Sequence, residues 1–152
     1  MSEKMNKIVI KKISTDDYNS WKTLWKDYLN FYNTKLCPEI FHLTFSRIIS
    51  ETNLNCNGYN ATIDKKAVGI VHCIYHMHFW QKEDVCYLQD LFVSEKYRNR
   101  GIARELVKQV YAVANQRGAK GVYWMTQDFN TTARKLYDKI GVKTPFIKYT
   151  HL

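Results

Sequence analysis

The sequence predicts a mixed α/β fold, a central β-sheet with helices on its faces. Two observations carry this. Stretches with apolar residues spaced three and four apart, the helical period, are separated by short apolar or alternating runs that suit strands. Their order along the chain is β, α, α, β, β, β, α, β, α, β.

Ile8 to Ile13 alternates loosely and predicts a first strand. Ser14-Thr15-Asp16-Asp17 supplies a helix N-cap and first-turn acids. Tyr18, Trp21, Leu24, Trp25, Tyr28, Leu29 and Tyr32 then form an amphipathic stripe. Pro38 suits the first turn of a second helix, whose apolar face is Phe41, Phe45, Ile48 and Ile49. Asn55 to Gly58 is a turn cluster, and strands follow at Tyr59 to Ile63, Ala67 to Met77 and Val85 to Val93.

The last of these strands is apolar on both faces and so is central. Alternation puts Val85, Tyr87, Leu91 and Val93 on one side and Cys86, Leu88 and Phe92 on the other. Gln89 and Asp90 interrupt it, one on each face. A helix over Gly101 to Arg117 carries Ile102, Leu106, Val110 and Val113, with Gly118 as its C-cap. Gly121 to Thr126 is a strand, Asn130 to Ile140 a helix closed by Gly141, and Phe146 to Thr150 a last strand.

A length of 152 residues predicts one domain over 1–152. Apolar residues at 45% and aromatics at 14% exclude a disordered chain. Lys and Arg outnumber Asp and Glu by 23 − 14 = 9, so the protein is basic and suits anionic partners. Met1 to Lys12 is polar, which predicts no secretory segment. The longest mostly apolar run, Ala67 to Ile74, is too short to span a bilayer, so no membrane partner is expected. Cys37, Cys56, Cys73 and Cys86 form no Cys-x-x-Cys pair, which predicts reduced thiols in a cytoplasmic protein.

The most informative stretch is Arg98-Asn99-Arg100-Gly101-Ile102-Ala103, between a buried strand and a helix. Backbone N–H groups at a helix start lack intrahelical partners and can point at an anion. Gly101 and Ala103 keep the approach small, while Arg98, Arg100 and Arg104 add charge. Read alone, this is either a pyrophosphate cradle or a solvated basic helix start.

Arg98-x-x-Gly101-x-Ala103 resembles the Q/R-x-x-G-x-G/A acyl-CoA signature of the GNAT N-acetyltransferases. Tyr87 to Val93 resembles the strand that precedes that loop, and Asn130-x-x-Ala133-x-x-Leu136-Tyr137-x-Lys139-x-Gly141 the late helix of the family. Trp21-x-x-Leu24-Trp25-x-x-Tyr28 and His76-Met77-x-x-Trp80 are similar to a subgroup of fungal histone, polyamine and D-amino-acid acetyltransferases and bacterial relatives.

The resemblance implies the GNAT acyltransferase fold, acetyl-CoA as co-substrate, and acetyl transfer by direct attack of a primary amine of a small molecule or peptide. It also implies a homodimer through the C-terminal strand. Backbone N–H groups around Leu91, Phe92 and Val93 would hold the thioester carbonyl and pantetheine. The loop Arg98, Asn99, Arg100, Gly101, Ile102, Ala103 and Arg104 would hold the pyrophosphate, with Asn130 and Ala133 beside the cofactor arm. Tyr137 would protonate the leaving thiolate. The first helices would roof the acceptor site.

The base is not legible. An amine of pKa near 10.4 is neutral only about once in 2,500 at pH 7. Polyamine acetyltransferases of the family carry a glutamate where this chain has Gln89, which can orient a water or the amine but takes no proton. His72, His76 and His78 share one strand face, but no fourth ligand has metal-site spacing, so no metal is expected. His76 either lines the substrate pocket or packs. Two other readings stay open: a catalytically idle CoA-binding or interaction protein, and a basic nucleic-acid module. The second lacks any zinc-finger, basic-zipper or RNA-binding aromatic pattern, so no nucleic-acid partner is expected.

Overall fold

The computed structural model describes residues 6–152, so the first five residues of the polar N-terminal stretch lie outside the described residues. Five strands, β1 (Val9–Lys12), β2 (Cys56–Ile63), β3 (Lys66–His76), β4 (Val85–Val93) and β5 (Val122–Tyr123), form one sheet in chain order. The first four are antiparallel, and β5 runs parallel to β4. Four helices flank it: α1 (Tyr18–Phe31), α2 (Pro38–Ile48), α3 (Ile102–Gln116) and α4 (Thr131–Ile140).

Each sheet face buries its own apolar layer. α3 brings Ile102, Leu106, Val107 and Val110 against Tyr59, Ala61, Val71, Cys73 and Leu88. On the other face, Trp21, Leu24 and Trp25 of α1 and Phe41, Phe45 and Ile48 of α2 meet Ile70 and Phe92. The apolar stripes read from the sequence therefore point inward as expected. The turn over Asn55 to Gly58 is mostly strand instead. A Cβ at Gly58 would lie 2.6 Å from Ile48 and 2.9 Å from Ile13, so glycine there admits helix α2 to the sheet.

Simple alternation fails in β4. His72 pairs with Asp90 and Cys73 with Leu88, leaving Gln89 without a partner on β3. This β-bulge shifts the side-chain phase by one residue. Cys86 and Leu88 before it, and Leu91 and Val93 after it, all reach the α3 side. Phe92 packs with α1 and α2, and Asp90 reaches Trp25 of α1.

Two endings also depart from expectation. Gly118, at φ +70°, closes α3 in the left-handed region, but Gly141 is extended. A Cβ on Gly141 would lie 2.6 Å from the Trp124 ring, so that glycine serves packing rather than a turn. The strand expected at Phe146 to Thr150 does not form among the described residues: the sheet ends at β5, which pairs only with β4 and over only two residues. Val142, Phe146, Ile147, Tyr149 and Leu152 are all exposed.

Candidate active site

β4 and β5 pair only at Cys86↔Val122 and Tyr87↔Tyr123. Beyond Tyr87, β4 runs on to Val93 while the chain after Tyr123 turns away. The two strands part there, and a cleft opens between them. Tyr28, Tyr32, Leu88, Gln89, Leu91, Trp124, Met125, Thr126 and Tyr137 line it. Gln89 and Tyr137, 48 positions apart in the numbering, thus share one cleft.

The parting leaves main-chain donors on one side of β4. Ser94 N–H bonds to Val68 O on β3 at 2.8 Å. Alternate amides of an extended strand point the same way. Phe92 N–H therefore faces β3, and the N–H groups of Leu91 and Val93 face the side that β5 has left. The side chains of Phe92 and Val93 are core.

The loop after β4 is anchored to the strand end. Arg98 Nε donates to Val93 O at 3.0 Å, and its guanidinium lies 5.7 Å from the Phe92 ring. Arg98 is thus tied to the strand it follows. Arg100 stacks over Tyr97 at 5.3 Å. Asn99 and Gly101 both take positive φ, 61° and 79°. At Gly101 an added Cβ would meet nothing within 4 Å, so the space before α3 is open. Ile102 is core by its side chain, 1% exposed. Ala103 and Arg104 are half-buried in the first turn of α3.

Asn130 caps α4, accepting from Ala133 N at 3.4 Å, while its Nδ2 donates to Thr126 Oγ1 at 3.3 Å. Tyr137 meets Trp124 edge-on at 5.5 Å, and Trp124 in turn packs on Gly141. Burial, with Tyr32 nearby, raises the Tyr137 phenol to about 12, so it stays protonated through the neutral range.

A buried polar network joins α1 to the sheet behind the cleft. Trp21 Nε1 donates to His72 Nε2 at 2.8 Å, and His72 Nδ1 donates to Asp90 Oδ2 at 2.8 Å. Trp25 Nε1 donates to the same oxygen at 3.3 Å. Burial alone would push the Asp90 carboxyl up. The bond from His72, with the bond from Trp25 and the nearby Tyr28 hydroxyl, brings it below its ordinary value of 3.8.

The three alternating histidines therefore separate. His72 is in this network, His76 bonds Tyr123 Oη at 2.7 Å, and His78 lies beyond the strand. Among the described residues, no three His, Cys, Asp or Glu side chains are grouped to hold a metal ion. Sequence reasoning named His72 but not its link to Asp90 and Trp21, and it missed Trp124, Met125 and Thr126 as cleft residues. The last three directly follow Tyr123, where strand pairing ends, and only the short β5 gives them their place.

The Acetyltransferase (GNAT) family matches residues 16–142 of the chain. The D-amino-acid N-acetyltransferase HPA3 of Saccharomyces cerevisiae is 38% identical over 97% of this chain and 93% of its own. The chain belongs to the GNAT family of acetyltransferases. A thialysine N-ε-acetyltransferase of Caenorhabditis elegans is 27% identical over 58% of this chain and 54% of its own. The fold matches the aminoglycoside N-acetyltransferase AAC(6')-Iy in complex with CoA at TM-score 0.84, over 100% of this chain and 99% of that one, at 16% identity. As a GNAT enzyme, the protein transfers an acetyl group from acetyl-CoA to an amine.

Because the Asp90 carboxyl is lowered in the folded state, its contribution to stability is full above the ordinary value of 3.8 and is lost as pH falls through the folded value. Asp90→Asn removes that titration. Its urea midpoint should fall less steeply than the wild type's between about pH 5 and pH 2. Parallel curves for the two proteins would disprove the assignment.

Proposed function

We propose that the cleft between β4 and β5 is where acetyl-CoA meets a small amine acceptor, such as the α-amine of a free amino acid. One observation carries this reading: Gln89 and Tyr137 face a common cleft whose lining holds no carboxylate. A long polyamine needs several anionic partners, and a protein with net charge +9 repels it. The similarity to a D-amino-acid N-acetyltransferase supports the same class.

The open space at Gly101 and the N–H groups at the start of α3 suit the donor's pyrophosphate, with Arg100 and Arg104 adding charge. Asn99 shapes that loop through its positive φ, Arg98 anchors it, and Ile102 contributes through its backbone. The free N–H groups of Leu91 and Val93 suit the thioester carbonyl and the oxyanion that follows attack. The donor's arm passes half-buried Ala133 and the Asn130 cap. Tyr137, still protonated at neutral pH, gives its proton to the departing sulfur. Gln89 orients the amine.

The homodimer is part of this reading. The exposed tail residues Phe146, Ile147, Tyr149 and Leu152, the free edge of β5 and a cavity of about 1420 Å³ between tail, β5 and α4 fit the tail of a second copy pairing along β5. The four free cysteines, two of them buried, suit a reducing compartment such as the cytoplasm.

Thiol release from acetyl-CoA is the deciding assay, run against D-phenylalanine, L-lysine, thialysine, a histone-tail peptide and spermine. An amino acid should give the highest kcat/KM. Spermine leading the series would overturn the small-acceptor reading. Tyr137→Phe keeps the ring and should lower kcat about 10²- to 10⁴-fold. It should leave the Kd for acetyl-CoA within about 1 kcal/mol, the contribution of a single hydroxyl contact. Gly101→Glu should show the opposite split, folding normally but losing acetyl-CoA binding by calorimetry. Retention of more than a third of kcat in Tyr137→Phe, with chemistry rate-limiting, would make Tyr137 a packing residue. Light scattering of the full chain should give twice the mass of 18.1 kDa, and deletion of residues 146–152 should return it to the monomer mass. A full-length monomer at assay concentration refutes the exchange.

A further inference from the structure

An amine that arrives at neutral pH is mostly an ammonium, and it gives up a proton before its nitrogen can attack. Among the described residues, the cleft lining holds no carboxylate and no histidine. Tyr137 is protonated and serves the sulfur. His72 is closed to the task. An indole N–H can only donate, so Trp21 makes His72 Nε2 an acceptor, and the ring's one proton sits on Nδ1, bonded to Asp90. Both of its nitrogens are engaged inside the protein.

His76 is placed differently. Its Nδ1 lies 2.8 Å from Met77 O, and a carbonyl only accepts, so Nδ1 carries the ring proton. Nε2 then holds the lone pair, and Tyr123 Oη donates to it at 2.7 Å. With its proton turned to His76, the Tyr123 oxygen has lone pairs left to offer. The bond passes over β4: His76 stands opposite Val85 on one side, and Tyr123 stands beside Tyr87 on the other. The Tyr123 ring stacks on Tyr87 with centroids 5.0 Å apart. Burial holds both phenols above the ordinary 10.0, so neither ionises in the neutral range. Among the described residues His76 makes no ion pair, and it is exposed, so its ring can exchange protons with water.

This pair sits beside the cleft. Tyr87 and Gln89 lie on the face of β4 opposite Cys86 and Leu88, which reach the α3 side. Two residues of strand span about 7 Å, a gap that one ammonium fills when bonded to Gln89 on one side and Tyr123 on the other. Trp124 and Met125, next in the chain after Tyr123, line the cleft itself.

We propose that Tyr123 is a catalytic residue that takes a proton from the acceptor's ammonium while passing its own to His76, the general base. This rests on the cleft being the amine site. An N–H bond of the ammonium breaks as an O–H bond forms on Tyr123, and the old Tyr123 O–H breaks as an N–H forms on His76 Nε2. Tyr123 ends unchanged. The imidazolium is held by Met77 O and Tyr123 Oη, and it gives its proton to solvent. The freed amine attacks, the C–N bond forms, and the carbonyl π pair moves to oxygen. That pair returns as the C–S bond breaks, and the thiolate takes the Tyr137 proton. The surplus proton on nitrogen passes through solvent to the Tyr137 phenolate. The sum is ammonium plus acetyl-CoA to amide, CoA thiol and one proton.

The other thing this bond can do is clasp β5, whose ladder has only two residues. His76→Gln separates the two roles, because the amide keeps an acceptor for the Tyr123 hydroxyl but cannot hold the proton. The test uses the full chain, with the best panel amino acid as acceptor. At about pH 7, His76→Gln should lower kcat/KM about 10²-fold, within the range of a positioned base. Tyr123→Phe should lose about as much, and the double variant less than about threefold more, because the two act in one relay. The Kd for acetyl-CoA should stay within about twofold in each. By about pH 10, where an α-amine is largely neutral, the His76→Gln deficit should shrink below about threefold. Free imidazole should restore activity to His76→Ala.

Retention of more than a third of kcat/KM by His76→Gln at neutral pH would make the bond a clasp and overturn the proposal. So would a deficit of the same size at both pH values. If His76→Gln fails to fold, imidazole decides: rescue of His76→Ala supports the proposal, and its absence refutes it. If neither His76 variant folds, Tyr123→Phe decides in the same way, by a deficit that shrinks toward pH 10 or one that stays constant. A wild-type protein that binds acetyl-CoA but acetylates no panel amine would instead bring down the small-amine reading, and this proposal with it.

Discussion

Between Leu88 and Asp90, β4 carries one residue more than β3 can pair. That mismatch organises the cleft. It turns Gln89 out of the ladder and exposes it, and swings Asp90 under α1. It also keeps Leu91 and Val93 on the same apolar side as Leu88. Without the bulge, strict alternation would put Leu91 and Val93 on the side away from α3. The layer formed by Leu106, Val107 and Val110 would lose its partners on β4.

The parting of β4 from β5 completes what the bulge begins. Two paired residues hold β5, and then the chain leaves through Trp124, Met125 and Thr126. One rim of the cleft is therefore a strand with unpaired amides, and the other is irregular chain capped by α4. α1 closes the roof because its tryptophans hydrogen-bond across the interface to His72 and Asp90 as well as packing there. Buried polar groups of this kind are tolerated only when satisfied, and each nitrogen and the shared carboxylate oxygen here has a partner.

Much of this was legible in the sequence, and the reasons differ by element. The stripe Trp21, Leu24, Trp25 marked α1 and its inward face, because burial of one helix side leaves a periodic trace. The extent of β4 was readable from its apolar ends, but its faces after Gln89 were not. A bulge is set by pairing with a distant strand and leaves no period of its own. The loop at Gly101 and the tyrosine at 137 were singled out as candidates through their likeness to a family pattern. Periodicity alone would have filed Tyr137 with the other packing aromatics. Asp90 looked like an interruption on a strand face. Its meaning came from His72, Trp21 and Trp25, which lie 18 to 69 positions earlier. The C-terminal strand failed for the converse reason: Phe146 to Thr150 has strand-like composition, but a strand is defined by a neighbour, and the tail has none among the described residues.

The helix bearing Tyr137 has no fully buried residue. It is tied to the body by Tyr111 Oη bonding Ile140 O at 2.8 Å, by the Trp124 ring, and by the two-residue ladder of β5. Segments with so little apolar anchorage open at free energies well below that of global unfolding. α4 is therefore more weakly anchored than α3, which has five buried residues. A donor bound as proposed, against Ala133 and Tyr137, would supply part of the missing cover. Ordering of α4 and occupation of the cleft are then thermodynamically linked, and each favours the other by the same free energy.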